Sequence, residues 1–159
     1  MVGGAENEGV VLVSPRLWTP DCDHDPADSQ HVRDLVVHEL VHVFHMQHNP
    51  SSEFEGADEI GWFVEGLATY ASGQFEHGHA DRALEAVESG AVPERLAEAW
   101  SGPYRYGVSG SLVAYVDDRI GRAGLAELLG ATTQAEILDR LGMTEPELLA
   151  AWAAWVRAG

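Results

Sequence analysis

The chain has 159 residues, enough for one domain with its own hydrophobic core. It contains 26 acidic residues against 9 basic ones, all of them arginine, and its formal net charge is −17. A surface this acidic repels phosphate groups, so we expect no nucleic-acid partner and no anionic membrane partner. No apolar run approaches the length that spans a bilayer.

Targeting and cysteine chemistry give little further information. The first residues, MVGGAENEGV, lack a basic region followed by an apolar run, so no signal peptide is visible and a cytoplasmic protein is the default expectation. A secreted protein, or one part of a larger protein, remains compatible with the sequence. Cys22 is the only cysteine, which excludes an intramolecular disulfide and a cysteine-based zinc knot.

The N-terminal third predicts one strand and two helices. The apolar, β-branched run at 9–14 predicts a short buried strand, which needs a partner, and an acidic loop follows to residue 29. A long helix should begin after Asp28 or Ser29 and end at Asn49-Pro50, since the residue before proline avoids helical ψ. A second helix is predicted at 59–72.

The rest of the chain predicts further helices, at residues 79–89, 93–100, 108–120, 122–130, 134–141 and 145–157. Two of their starts fit the capping box, in which a threonine and a glutamate three residues later bond to each other's backbone N–H groups. These starts are at Thr133 and Thr144. The sequence therefore predicts a mainly helical (α+β) single domain.

The long helix carries the segment His38-Glu39-Leu40-Val41-His42. Residues i and i+4 lie one above the other on a helix, so His38 and His42 can share one metal ion. Glu39 lies beside that stripe, where it can reach a metal-bound water without being a ligand. This is the His-Glu-x-x-His pattern of zinc hydrolases, in which the glutamate is the general base.

Two further histidines follow on the same helix. His45 lies about 10.5 Å along the axis from His38, too far for one ion to bind both. Its pairing with His42 is a conceivable alternative, although it would separate Glu39 from the water. We therefore expect His45 and His48 to support a ligand or to face solvent.

A third protein ligand is expected, because catalytic zinc usually takes three and leaves a position for water. The candidate is Glu65, in the apolar segment Trp62-Phe63-Val64-Glu65-Gly66-Leu67-Ala68-Thr69-Tyr70. A carboxylate among bulky apolar side chains needs a partner, and a metal ion would be one. Gly66 and Ala68 beside it allow a second helix to pack closely.

These two segments together resemble the gluzincin metallopeptidases, the thermolysin- and aminopeptidase-like superfamily, and especially their small peptidase MA-like helical domains. The resemblance covers roughly residues 35–157. It implies a zincin-like domain made of the strand and acidic loop (1–29), the two motif helices (30–73) and a C-terminal helical part (74–159). It also implies one Zn²⁺ per chain held by His38, His42 and Glu65, with Glu39 as the base.

The resemblance further implies a peptide or protein substrate. It places Thr69 where some relatives have an acid that orients a ligand imidazole. Tyr104 or Tyr106 would donate a hydrogen bond to the oxyanion, and the sequence does not choose between them. The 22 residues between His42 and Glu65 are more than is common in aminopeptidases, and no Gly-x-Met-Glu-Asn segment precedes the helix.

Three other interpretations compete with a metallopeptidase. A deformylase-like hydrolase would use Cys22 as the third ligand, but it leaves Glu65 unexplained. A non-catalytic zinc-binding or interaction domain would keep the ligands without a working cleft. The hard ligands at 21–25, DCDHD, would suit a second metal, calcium.

Overall fold

The computed structural model describes residues 3–6, 9–18, 25–51, 54 and 58–159, and within them the chain is mainly helical. A hairpin of β1 (Gly3–Glu6) and β2 (Gly9–Leu12) precedes the helices. The α-helices are α1 (Ser29–His48), α2 (Gly61–Ala71), α3 (Ala80–Glu88), α4 (Arg105–Glu127), α5 (Gln134–Leu141) and α6 (Glu145–Ala158). The predicted class, a mainly helical (α+β) domain with a short N-terminal strand, is confirmed, and that strand is one arm of the hairpin. Within the described ranges, no helix combines the length and the apolar character needed to cross a bilayer.

The predicted strand finds its partner immediately upstream. β1 runs antiparallel to β2 with Gly4 opposite Val11 and Ala5 opposite Val10, and both strands pack against α1. Because β1 offers mainly glycine and alanine, it gives Val11 no side-chain cover, and Val11 is 62% exposed.

Both ends of α1 are fixed by side-chain hydrogen bonds. The Asp28 carboxylate accepts from the backbone N–H groups of Gln30 (2.9 Å) and His31 (3.1 Å), so Asp28 is the N-cap. The helix ends at Asn49, as predicted. The Asn49 side-chain amide donates to the carbonyls of Leu129 (2.9 Å) and Ala131 (2.8 Å), which ties the helix end to the chain just after α4.

α2 is packed between α1 and α4, and its side chains Trp62 and Phe63 are fully buried. The close approach of α4 depends on Gly66. A Cβ atom there would clash with the Ser109 carbonyl oxygen and would lie 2.9 Å from Val113 Cγ2. The position of Glu65 is therefore fixed by a helix that α1 and α4 hold from two sides.

The C-terminal helices largely follow the predicted pattern. The Thr133 and Glu136 capping box forms, and the Glu147 carboxylate accepts from the Thr144 backbone N–H at 2.8 Å. The helices predicted at 108–120 and 122–130 meet at Gly121, where φ is 73° and ψ is 166°, inside the continuous span of α4.

The helix predicted at 93–100 is wrong: only a single 3₁₀ turn forms, at Leu96–Glu98. The Glu145 carboxylate of α6 accepts from the Leu96 backbone N–H at 2.6 Å, and Leu96 is fully buried. These tertiary contacts override the local helical preference of the segment.

Candidate metal centre

Three potential ligand atoms meet between α1 and α2. The Nε2 atoms of His38 and His42 are 3.1 Å apart, and Glu65 Oε2 lies 3.5 Å from the first and 3.6 Å from the second. Zinc bonds of about 2.0–2.2 Å in a tetrahedron require ligand atoms about 3.3–3.6 Å apart. The three residues therefore fit one zinc ion to within a few tenths of an ångström. His38, His42 and Glu65 are also the described residues grouped closely enough to share an ion.

The tautomer of His38 is fixed by a residue from outside both helices. His38 is buried, and its Nδ1–H donates to the side-chain carbonyl oxygen of buried Gln74 at 2.8 Å. An amide oxygen only accepts, so the proton must be on Nδ1 and the lone pair of the neutral ring on Nε2. That lone pair is directed toward His42 and Glu65, as a metal ligand requires.

Glu65 is ionised at any pH at which the protein would work. Burial alone raises the pKa of its carboxyl group, but the adjacent imidazoles of His38 and His42 outweigh burial and lower the pKa to about 2. The cluster therefore offers two imidazole nitrogens and one carboxylate oxygen. This ligand set favours zinc over calcium, because calcium prefers oxygen ligands alone.

Glu39 is a buried acid that no described residue neutralises. The residue is only 8% exposed, and its carboxylate makes no hydrogen bond or ion pair with any described residue. Burying a carboxylate without a partner is costly. Its position next to His38 on α1 leaves it available to a water molecule or a substrate at the cluster.

The other α1 histidines do not join the cluster. His48 is exposed and donates from Nδ1 to the Phe44 carbonyl at 2.7 Å. His45 is fully buried against the rings of Phe54 and Phe63, and neither of its nitrogens has a well-aligned hydrogen bond to a described residue. The expectation that His45 supports a ligand or faces solvent is therefore wrong. Burial, reinforced by the charge of His42, lowers the His45 pKa to about 4.

Thr69 does not orient a ligand imidazole. It is fully buried, and its hydroxyl oxygen has no hydrogen-bond partner. Gln74, and not Thr69, contacts the His38 imidazole, and no spacing in the sequence predicted that contact.

Cys22 and most of the 21–25 cluster lie outside the described residues. Within that cluster, the exposed Asp25 carboxylate accepts from the Ala27 backbone N–H at 2.8 Å.

The structure separates the two candidate tyrosines. The Tyr104 hydroxyl donates to Glu85 at 3.3 Å. Tyr106 instead stacks on His79, with ring centroids 5.0 Å apart and planes at 17°, and its hydroxyl bonds to no described residue. Burial lowers the pKa of His79, and the charges of His31, Arg82, His38 and Arg105 lower it further.

A separate apolar groove of about 270 Å³ lies between α1, α2 and the end of α4. Its α1 wall includes Leu40 and Phe44, each 51% exposed. At 3.6 residues per turn, these side chains project from the face of α1 roughly opposite His38 and His42. The groove is therefore separate from the candidate metal centre.

No protein-family model, curated protein or solved structure matches the chain.

Proposed function

We propose that this chain is a zinc-dependent peptide-bond hydrolase, with His38, His42 and Glu65 as the zinc ligands and Glu39 as the general base. The observation that carries the proposal is the convergence of His38 Nε2, His42 Nε2 and Glu65 Oε2 at tetrahedral-edge distances, beside a buried carboxylate that has no partner among the described residues. A structural ion would need no such acid, and structural zinc sites usually have four protein ligands.

The chemistry divides among these residues. A bound zinc ion would polarise the substrate carbonyl and lower the pKa of a water molecule toward 7. Glu39 would accept the proton of the attacking water and deliver it to the leaving amine. The Tyr106 hydroxyl, which bonds to no described residue, would donate a hydrogen bond to the oxyanion.

Two variants separate base from ligand. Glu39→Gln keeps size and hydrogen bonding but removes the base, so it should retain one zinc per chain and lose about 10²–10⁴ in hydrolysis rate. His42→Ala should lose the zinc itself. His48→Ala is the matched control, since it removes an exposed histidine from the same helix. Elemental analysis and digestion of a broad peptide library provide the two measurements.

The outcomes also distinguish the competing interpretations. Wild-type rates in Glu39→Gln would contradict the proposed mechanism. A protein that holds one zinc but cleaves no peptide would be a zinc-binding domain without catalysis. Loss of zinc in Cys22→Ser would indicate the deformylase-like ligand set.

A further inference from the structure

Arg105, the first residue of α4, differs from the other arginines of the chain. Eight of the nine are exposed, whereas Arg105 is partly buried. Its guanidinium carbon lies 4.9 Å from the centre of the Tyr106 ring and 5.8 Å from that of Trp100. The two rings contact each other edge to face at 4.8 Å, so they form an aromatic shelf that holds the guanidinium group.

No carboxylate of the described residues forms an ion pair with Arg105, although the chain has 26 acidic residues. The group donates one weak hydrogen bond to described protein, from NH1 to the Gly102 carbonyl at 3.3 Å. The first turn of α4 contains no acid either, so the positive end of the helix that runs from Arg105 to the break at Gly121 is also unbalanced. The guanidinium charge and the positive end of the helix both favour the binding of an anion at the start of α4.

Arg105 connects to the metal centre through a short series of contacts. Gln74, which binds His38, is followed by the π-helix Phe75–His79, in which residues i and i+5 lie one turn apart. His79 therefore lies one turn beyond Gln74. The His79 ring stacks on Tyr106, and Tyr106 is one of the two rings that contact the Arg105 guanidinium.

This segment is also held rigidly against α1. The buried Asp34 carboxylate accepts from His77 Nδ1 at 2.7 Å, in addition to the Gln74 bond to His38. The distance from the cluster to the shelf is therefore set by packed elements and not by a free loop. A peptide bound at the zinc ligands would extend along this series of contacts to place another part of its chain at the guanidinium.

We propose that Arg105 binds a carboxylate of the peptide substrate, that of its C-terminus, so that the enzyme cleaves near the C-terminal end. This proposal rests on the proposed function and names its substrate class. The planar guanidinium can bind a carboxylate through two parallel hydrogen bonds, and the shelf fixes its orientation in advance. The net charge of −17 disfavours polyacidic chains, whereas repulsion of a single carboxylate is screened beyond about 8 Å at physiological salt.

The test compares three peptides. The first two share one sequence and end in a free acid or in an amide, and the third is the amide with an internal glutamate added. The zinc-loaded wild type should prefer the acid, and Arg105→Gln should lower kcat/KM for the acid about ten- to hundredfold more than kcat/KM for the amide. Arg105→Lys should recover part of the loss, since it keeps the charge without the planar fork. Arg95→Gln, an exposed arginine with the same change in charge, should behave as wild type.

Each other result is informative. Equal rates for acid and amide in the wild type, or a preference that survives in Arg105→Gln, would overturn the proposal. Restoration of the rate by the internal glutamate would assign the site to acidic side chains and overturn the C-terminal assignment. If no peptide is cleaved, the proposed function fails. The affinities of the acid and amide peptides, measured by calorimetry, still decide whether Arg105 recognises a carboxylate.

Discussion

At the scale of single residues, α1 places its histidines in three different environments. His38 is hydrogen-bonded to Gln74, His45 is enclosed by aromatic rings, and His48 is exposed. Residue type alone therefore does not distinguish a ligand from a packing residue on this helix. Of these three, only His38 has a described acceptor for one ring nitrogen and another potential ligand atom near the second nitrogen.

Gln74 should control zinc affinity without touching the metal. Gln74→Leu removes the acceptor for His38 Nδ1–H, so the ring loses its fixed tautomer and orientation, and zinc affinity should fall about 10- to 100-fold. Gln74→Glu restores an acceptor with a full charge, which makes the imidazole more basic, and it should bind zinc at least as tightly as the wild type. Competition with a chelator measures both. Equal affinities in Gln74→Leu and the wild type would contradict this role.

His45 should make the folded protein sensitive to mild acid. Its folded pKa of about 4 lies below the ordinary value of 6.5, so the unfolded chain takes up a proton first as the pH falls. The contribution of His45 to stability is full above pH 6.5 and declines toward pH 4, by about 2 kcal/mol between pH 7.5 and 5.

His45→Phe should remove this decline and also relieve two unpaired buried nitrogens, stabilising the protein by about 1–3 kcal/mol at pH 5. Urea unfolding of zinc-free wild type and variant at both pH values gives the comparison. His38 and His42 are present in both proteins, so the difference between the two isolates His45. A decline of equal size in both would contradict the assignment.

The sequence could predict only part of the site at this scale. His38, His42 and Glu39 belong to one helix, where spacing determines the relative direction of side chains. Gln74 is 36 residues from His38. Its contact depends on a chain reversal at Gly73, whose φ is +90°, and on the following π-helix, and neither leaves a periodic signal. No sequence pattern identifies Arg105 either, because what distinguishes it is that no carboxylate of the described residues forms an ion pair with it.

At the scale of elements, the candidate centre depends on how closely α2 approaches α4. Gly66 follows Glu65 directly, and its contact with Ser109 involves backbone atoms that cannot move aside as a flexible side chain can. The sequence predicted a close approach here from the small side chains, and the Gly66 contact confirms it. It could not predict that β1 pairs with β2, because glycine and alanine have low strand preference.

Gly66→Ala should therefore destabilise the protein by about 1–3 kcal/mol through overpacking. It should also weaken zinc binding, since any shift of α2 moves Glu65 away from the histidines. Gly61→Ala is the control on the same helix: a Cβ there meets nothing within 4 Å, so stability should stay within about 0.5 kcal/mol. Denaturant unfolding measures both. Equal stabilities for the two variants would mean that α4 can shift freely from α2.

At the scale of the whole molecule, zinc binding and folding should be linked. The three ligands lie on two helices that an unfolded chain does not hold together, so a bound ion stabilises the native state. With zinc at about a thousandfold excess over Kd, the gain is about 4 kcal/mol. For a chain of 159 residues this corresponds to a rise in Tm of roughly 10 °C.

This zinc-induced rise in Tm should be present at pH 7.5 and absent by about pH 5. Ligand imidazoles must be neutral, and free histidine titrates near pH 6.5, so protons increasingly displace zinc below that value. Glu65, with a pKa of about 2, stays ionised over the whole range and contributes nothing to the loss. Calorimetric scans of the protein with and without zinc at both pH values measure the effect. His42→Ala should show no rise at either pH, and a rise that persists unchanged at pH 5 would indicate a site built from carboxylates alone.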